Sequence, residues 1–454
     1  MAKLEVDLGL VAKYNQPGPR YTSYPTAPHF SEAVTWPLLL DLVRANNQTE
    51  RELSLYFHLP FCQSLCWFCG CTTVITHDQG KSAIYLGYLK KEVERMAALL
   101  NPRRPVGQLH FGGGTPNFLL PDEIRALGDL IHSRFHFAPD LEAGVEIDPR
   151  GMTRDHLQAL RQIGFNRTSM GVQDNNPDVQ KAVHRLQPKE LSEQVVHWVR
   201  EAGFHSLNID LIYGLPNQTV DSFEKTLDEV LRWEPDRLAI FNYAHVPWMK
   251  RAQRVLKILP PAAKLQLLKL TIEKLTSQGY AYIGMDHFAR ETDELAAAQR
   301  MKTLQRNFQG YSTHGGADIY AFGMSSISQT DTAYWQNHKD LPGYYAALDA
   351  NQPPQHKGYI LTPDDKIRRQ TIMRLMCDLE LDYAAMSRRL EVNFADYFAF
   401  ELASLAELEA DGLVRRTGAG FLVTDVGRLL IRNIAMRFDA YLPKETERRF
   451  SQTI

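Results

Sequence analysis

Short runs of β-branched and aromatic residues alternate with longer amphipathic stretches over much of the chain. The runs predict strands over 53–58, 108–111, 144–147, 168–172, 207–211 and 238–241. Between them, apolar positions recur at helical spacing over 83–100, 121–135, 189–202 and 221–232. Strand followed by helix, repeated, predicts parallel pairing with right-handed crossovers. Six such units are fewer than the eight of a closed barrel. The expected fold class is therefore α/β, an open or partial parallel β/α barrel.

The pattern changes at both ends. Residues 1–35 are rich in Pro, Gly and Tyr, carry little periodicity, and read as an ordered arm rather than a helix or strand. Beyond Pro353 and Pro354, 364–379 and 394–411 read as amphipathic helices, 412–424 as a small hairpin and 425–441 as another helix. The expected organisation is an arm over 1–35, a barrel domain over 36–355 and a mainly helical, winged-helix-like domain over 356–454.

Composition narrows the classes. The 454 residues are 44% hydrophobic, enough for a large core and a smaller one. With 51 Lys and Arg against 53 Asp and Glu, no basic excess argues for nucleic acid, so packing or a lid is the plain reading of the last domain. No apolar run of about 18 residues predicts a membrane span, and the N-terminus lacks the pattern of a secretory signal. A cytoplasmic location is expected.

Four of the five cysteines fall within ten residues: Cys62, Cys66, Cys69 and Cys71. The first three follow a CxxxCxxC spacing. Thiolates are the standard ligands of iron–sulfur clusters. Zinc is the competitor, but structural zinc sites pair two separated cysteine knuckles, and no second CxxC exists here. Three ligands from one short loop suit a four-iron cluster with one iron left open. Spacing alone does not decide which three bind. Cys71 is a buried thiol, a fallback ligand or a catalytic group; Cys377, inside a predicted helix, reads as core.

Functional residues of parallel α/β barrels sit at the C-terminal ends of the strands. Here those ends carry the cysteine loop, Gly112-Gly113-Gly114-Thr115-Pro116, Glu146, Gln173, Asp210 and the 242–245 segment with Ala244. The glycines lack phosphate-loop spacing; they either form a tight turn or let the backbone approach a zwitterionic amino acid. Glu146 and Asp210 are rim acids or ligand contacts, and a buried carboxylate without partners is costly.

These strings resemble the radical S-adenosylmethionine (SAM) superfamily. The arm with Arg20 and Tyr21 to Tyr24, the extra Cys71, Gly284-Met285-Asp286-His287-Phe288 and Asn307-Phe308-Gln309-Gly310-Tyr311 extend the likeness to nearly the whole chain. Within the superfamily it resembles the oxygen-independent coproporphyrinogen III oxidases. That resemblance implies oxidative decarboxylation of two propionates of coproporphyrinogen III to vinyl groups, giving protoporphyrinogen IX in heme biosynthesis. It implies a 4Fe-4S cluster on Cys62, Cys66 and Cys69 and two SAM molecules, one cleaved at the cluster to a 5′-deoxyadenosyl radical. By motif position, Tyr56, Gly113, Glu146 and Ile327 match contacts to the first SAM. Phe68, Gly114, Thr115, Gln173, Arg185, Asp210 and Ala244 match contacts to the second. Phe308 and Gln309 are expected near the active centre, with Tyr56 and Glu146, beneath the tyrosine-rich arm. The four carboxylates of the substrate need basic partners, for which Arg20, Arg290 and Arg306 are candidates. A one-electron donor such as a flavodoxin or ferredoxin, and a monomeric state, are further expectations. The rival readings are a heme-binding chaperone built on the same barrel, another radical SAM reaction such as methyl transfer, and a non-enzymatic zinc protein.

Overall fold

Six parallel strands form the centre of the molecule, each where the apolar runs predict one. They are β1 (Leu53–Leu59), β2 (Val106–Gly113), β3 (Phe137–Ile147), β4 (Arg167–Gln173), β5 (Ser206–Tyr213) and β6 (Arg237–Asn242), paired in that order. The computed structural model describes residues 6–442, 450, 452 and 453. The helices between the strands include Gly80–Ala97, Pro121–Arg134, Lys189–Glu201 and Val220–Arg232, close to expectation. A further helix, Arg154–Gln162, is started by Thr153, whose hydroxyl accepts from the His156 N–H.

The sheet is wider than six strands. β7 (Tyr280–Gly284) and β8 (His287–Arg290) extend it antiparallel past β6. On the other edge β9 (Asp318–Phe322) joins β1 in parallel, followed by β10 (Ile327–Gln329), β11 (Ala333–Asn337) and β12 (Gln355–Ile360). The twelve strands run in the order β12-β11-β10-β9-β1-β2-β3-β4-β5-β6-β8-β7. The sheet therefore continues to Ile360, beyond the break expected at 355.

Burial along the strands shows which face is the lumen. In β4, Thr168, Met170 and Val172 are buried beneath the helices, while Arg167, Ser169, Gly171 and Gln173 are only half-buried. In β5 the same alternation leaves Asn208 and Asp210 half-buried. Parallel strands covered on both faces ordinarily read as continuous apolar runs. Polar residues at every second position therefore mark a hollow that the side chains do not fill.

The ends of the chain depart from expectation in three places. The arm is not free of helix: Leu8–Tyr14 is helical, because the Asp7 carboxylate caps the N–H groups of Gly9 and Leu10. The single helix expected over 394–411 is two, Phe394–Tyr397 and Ala399–Ala410, broken at the buried Phe398. The helix expected over 425–441 is Asp425–Leu429, Ile431–Ala435 and a 3₁₀ turn ending at Phe438. The hairpin forms as Val414–Thr417 and Gly420–Val423, with Glu380–Asp382 as a third strand.

Arm and C-terminal domain are bound together by buried polar contacts. Tyr21 donates to Asp439 at 2.8 Å, and the Tyr24 hydroxyl accepts from the Ala440 N–H at 3.0 Å. Arg432 donates to the carbonyls of Gly18, Pro19, Gln452 and Thr453. Both the arm and residues beyond 400 therefore wall one side of the barrel mouth. No helix among the described residues is long and apolar enough to cross a membrane.

Candidate active site

Strand β1 delivers the cysteine loop, and the glycines at the end of β2 hold it in place. The Gly114 N–H donates to Leu59 O at 2.8 Å and the Thr115 N–H to Phe61 O at 2.9 Å. A Cβ on Gly114 would lie 2.5 Å from the Pro60 carbonyl oxygen, and Gly113 has φ +121°. Here the side-chain-free positions are demanded by protein backbone. Close approach to a ligand is not needed to explain them.

Cys62, Cys66 and Cys69 line one cleft with Gly113, Gly114 and Glu146. The sulfurs are met by donors. Arg150 Nη2 and Arg185 Nη1 each lie 3.4 Å from Cys66 Sγ, and the Cys71 N–H donates to Cys69 Sγ at 3.4 Å. Asp148 orients both guanidinium groups, 2.7 Å from Arg150 and 3.1 Å from Arg185. The side chain and N–H of Cys71 pull the Cys69 thiol down, while the same contact pushes Cys71 up. Burial, with the Cys69 and Cys66 sulfurs adding to it, pushes Cys62 up to about 12. Cys71 is reached by solvent and Cys377 is fully buried.

Among the described residues no three Cys, His, Asp or Glu side chains converge on a single ion position. Three soft donors spread round a cleft suit ligation of separate corners of a cube, where the bound metal itself would deprotonate each thiol. The sulfurs of Cys66 and Cys69 also receive the N–H and guanidinium contacts that stabilise charge on ligand thiolates. The residues present therefore fit a 4Fe-4S cluster.

The lumen below the loop is polar and ordered. The Tyr56 ring stacks on His110 with centroids 5.8 Å apart, and its hydroxyl lies 3.2 Å from His58 Nδ1. His110 lies 3.4 Å from Glu146, which also accepts the Gly113 N–H at 3.3 Å. Burial works against charge on Glu146, yet His110 and Gly113 hold it below the ordinary carboxylate value. Its side chain keeps 46% exposure although protein rings it, so it faces open space in the cleft. Burial, then the charge of Glu146, raises Asp210 to about 7 despite hydrogen bonds from Ser169 at 3.0 Å and Asn208 at 2.7 Å.

Most of the predicted site residues converge. Phe68, Thr115, Gln173, Arg185 and Asp210 line the same cleft as the three cysteines. Gln309 lies in the lumen beside His110, Glu146 and Asp210. Ala244 borders an adjoining cavity of about 570 Å³ that also receives Arg20 and Arg432. Phe308 and Ile327 pack together with Phe30, Tyr334 and Leu361 to the side of the lumen. Arg290 is a correction. β8 runs antiparallel, so Arg290 ends beside Pro235 and Tyr280, at the far end of the barrel from the cysteine loop. Asp148, Arg150, His58 and His110 were not among the predicted residues. Their signal was present as polar residues at alternate positions of apolar strands and at a strand end.

Beside the lumen sits a buried cation with little to balance it. Arg306 is 7% exposed, and its Nε and Nη1 have no hydrogen-bond partner; Nη2 donates to Arg20 O at 3.2 Å. Arg20 pairs with Asp286, and burial followed by the charge of Arg306 draws it down to about 10. Burial, with Arg306 and Arg20 nearby, lowers His287 to about 3 and keeps its ring neutral. His287 Nδ1 and both amide atoms of Gln309 are likewise buried without partners.

Residues 56–230 match the family model of the radical SAM superfamily, and residues 361–430 match that of the HemN C-terminal domain. The oxygen-independent coproporphyrinogen III oxidase of Escherichia coli is 48% identical over 456 residues, covering 100% of this chain and 99% of the relative. That of Synechocystis sp. is 46% identical over 459 residues, covering 99% of this chain and 98% of the relative. The solved structure of coproporphyrinogen III oxidase (HemN) from E. coli, a radical SAM enzyme, superposes with a TM-score of 0.92 at 47% identity, covering 97% of this chain and 100% of that one. With identity of this level carried from end to end and the cysteine cleft in place, the chain belongs to the oxygen-independent coproporphyrinogen III oxidase family of radical SAM enzymes.

Proposed function

We propose that this enzyme decarboxylates two propionates of coproporphyrinogen III to vinyl groups without molecular oxygen, giving protoporphyrinogen IX. The observation that carries the substrate assignment is the buried Arg306 guanidinium, two of whose donors have no hydrogen-bond partner, beside Arg20. A buried guanidinium without an acid partner is costly unless a ligand supplies the anion. A macrocycle with four carboxylates meets that need. The apolar and aromatic walls of the adjoining cavity, including Tyr213, Tyr243, Trp248 and Leu259, suit its pyrrole rings.

When bound, the 4Fe-4S cluster and SAM supply the one-electron chemistry that abstracts a hydrogen atom from the propionate carbon beside the ring. Cys62, Cys66 and Cys69 hold the cluster. Glu146, kept anionic, accepts hydrogen bonds from an ammonium or hydroxyl group of SAM in the cleft. Tyr56 offers a flat face against the same space and is held there by His58 and His110. The arginines fix the substrate carboxylates, and the arm and C-terminal domain exclude water from the mouth.

A second SAM is part of the proposal. Phe68, Thr115, Gln173, Arg185 and Asp210, in the same cleft as the cysteines, are its proposed contacts, with Ala244 at the border of the next cavity. Gln309 is proposed to face the substrate, which its unpartnered amide supports, and Phe308, packed against Tyr334, is proposed to hold that turn in place beside the active centre. Clustered free thiols suit a reducing compartment, so a cytoplasmic location is proposed; a monomeric state is proposed from the family resemblance.

The test is direct. Anaerobically reconstituted enzyme, given dithionite, SAM and coproporphyrinogen III, forms protoporphyrinogen IX and 5′-deoxyadenosine. Cleavage of SAM with the porphyrinogen untouched would refute the substrate assignment. Tight stoichiometric heme binding without decarboxylation would favour a chaperone.

A further inference from the structure

The cysteine loop has a second contact, with a segment whose ends, Trp248 and Ile258, line the adjoining cavity and whose middle faces outward. The segment from Trp248 to Ile258 lies against it. Lys250 Nζ donates to Cys71 O at 2.6 Å, and Gln253 Nε2 donates to Phe68 O at 3.0 Å. Leu256 packs in one apolar cluster with Trp67 and Phe68 of the loop. The segment is thus in direct contact with the residues between and beyond the ligand cysteines.

Its outward side chains are Arg251, Arg254 and Lys257, all exposed. Among the described residues no acid lies within ion-pair distance of any of the three. Exposed Lys339 lies near enough to Lys250 for the two charges to repel. Large apolar side chains are interleaved with the cations: Met249 and Val255 are 69% and 66% exposed. Single exposed cations or single exposed apolar residues are ordinary. Four cations within eight residues, in a chain with two more acids than bases, are a concentration that needs a reason. Met and Arg are also enriched in protein interface cores, and a ring of one sign steers a partner of the other.

We propose that the outward face of residues 249–257 is the docking surface for a small acidic one-electron carrier protein, which reduces the cluster through the cysteine loop. The proposal rests on the assignment of that loop to a 4Fe-4S cluster. In the step, the reduced carrier loses one electron and the cluster gains it; no bond forms or breaks in either protein. Contact between the segment and the loop keeps the path short, and the unpaired cations select a carrier whose redox group is ringed by carboxylates.

The test replaces the three outward charges together, Arg251→Glu, Arg254→Glu and Lys257→Glu. A matched control reverses three exposed charges elsewhere, Arg103→Glu, Arg388→Glu and Arg415→Glu. Binding of a purified acidic flavodoxin and of an acidic ferredoxin is titrated against apo and reconstituted protein at low and high salt. Wild type and control bind at least one carrier, more weakly at high salt, whereas the segment variant binds about tenfold or more weakly at low salt. With dithionite as reductant, the segment variant cleaves SAM at the wild-type rate; with limiting carrier it is slowed. Unchanged carrier affinity in the variant, equal loss in the control, or no carrier binding by wild type overturns the proposal. So does loss of binding to anionic phospholipid vesicles or an oligonucleotide with carrier binding intact. If wild type fails to cleave SAM with dithionite, the cofactor assignment falls instead, and the binding titration still decides the surface.

Discussion

Arg185 Nη1 lies 3.4 Å from the sulfur of Cys66, although the two residues are 119 positions apart in the chain. The same nitrogen lies 3.1 Å from Asp148, and Arg185 Nη2 donates to Gly171 O at 2.7 Å. One side chain therefore joins the ends of two strands to a ligand of the proposed cluster. Positive charge and hydrogen bonds at a ligand sulfur stabilise the reduced, more negative state of an iron–sulfur cluster.

Replacing Arg185 with Met is expected to make the cluster potential more negative, read by redox titration of the reconstituted protein. All three thiols remain, so iron content stays close to wild type. The apo protein loses stability on the order of 3 kcal/mol, because Asp148 and Arg185 form a buried pair. An unchanged potential would show that the guanidinium acts on folding alone.

Serine at Cys62, Cys66 or Cys69 is expected to abolish the cluster, and serine at Cys71 to leave it largely in place. Iron and sulfide analysis with the electron paramagnetic resonance spectrum of the reduced protein reads both. Loss of iron from the Cys71 variant would replace one of the assigned ligands.

Asp210 gives a pH signature. Burial and Glu146 raise its carboxyl to about 7 in the folded chain, against an unfolded value of 3.8. The folded state then holds more protons between these values, so this group's contribution to stability falls as pH rises from about 4 to about 7 and is flat above. Asp210→Asn removes that slope. The variant of the apo protein is expected to gain thermal midpoint relative to wild type at pH 8 compared with pH 4. Parallel midpoint curves across that range would sink the assignment.

Arg306→Leu is expected to weaken binding of coproporphyrin III, the stable oxidised analogue, by tenfold or more, an order set by loss of a charge-assisted contact. SAM binding is unaffected. The apo protein is not destabilised, because the guanidinium leaves two donors unpartnered. A fluorescence titration and a denaturation curve on the same sample separate these effects. Loss of stability without loss of porphyrin affinity would mean that Arg306 serves the core.

Gly114→Ala places a methyl group 2.5 Å from the Pro60 carbonyl and 2.6 Å from that of Phe61. Both are backbone atoms leading into Cys62. The variant is expected to lose stability by about 1–3 kcal/mol, as overpacking does, and to take up less iron. Normal iron content with full stability would show that the loop can shift freely.

The six central strands were legible because the helices cover one face of each and bury apolar residues at alternate positions; Leu53, Leu55, Phe57 and Leu59 of β1 are all essentially buried. The antiparallel flanks were not. β10 is three residues long and β8 four, too short to show a period. The position of Arg290 was lost for the same reason, since the reversal between β7 and β8 decides which end of the barrel it reaches. In the C-terminal domain, the apolar spacing over 394–411 was correct while the break at Phe398 was invisible, because periodicity reports a buried face and not a local interruption.

By itself the sequence determined the class of chemistry: three thiols at CxxxCxxC spacing at the end of a strand, with acids and glycines at the ends of its neighbours. Local spacing suffices for that, since one loop carries all three ligands. Only the tertiary structure decided what surrounds them. Arg20, Arg306 and Arg432 come from the arm, the segment after the barrel helices and the C-terminal domain, and no local pattern links them. They meet because the arm is tied across the barrel mouth to the C-terminal domain. Among the described residues Arg20 pairs with Asp286 while two donors of Arg306 stay without a partner, and that is the charge the proposed substrate would meet.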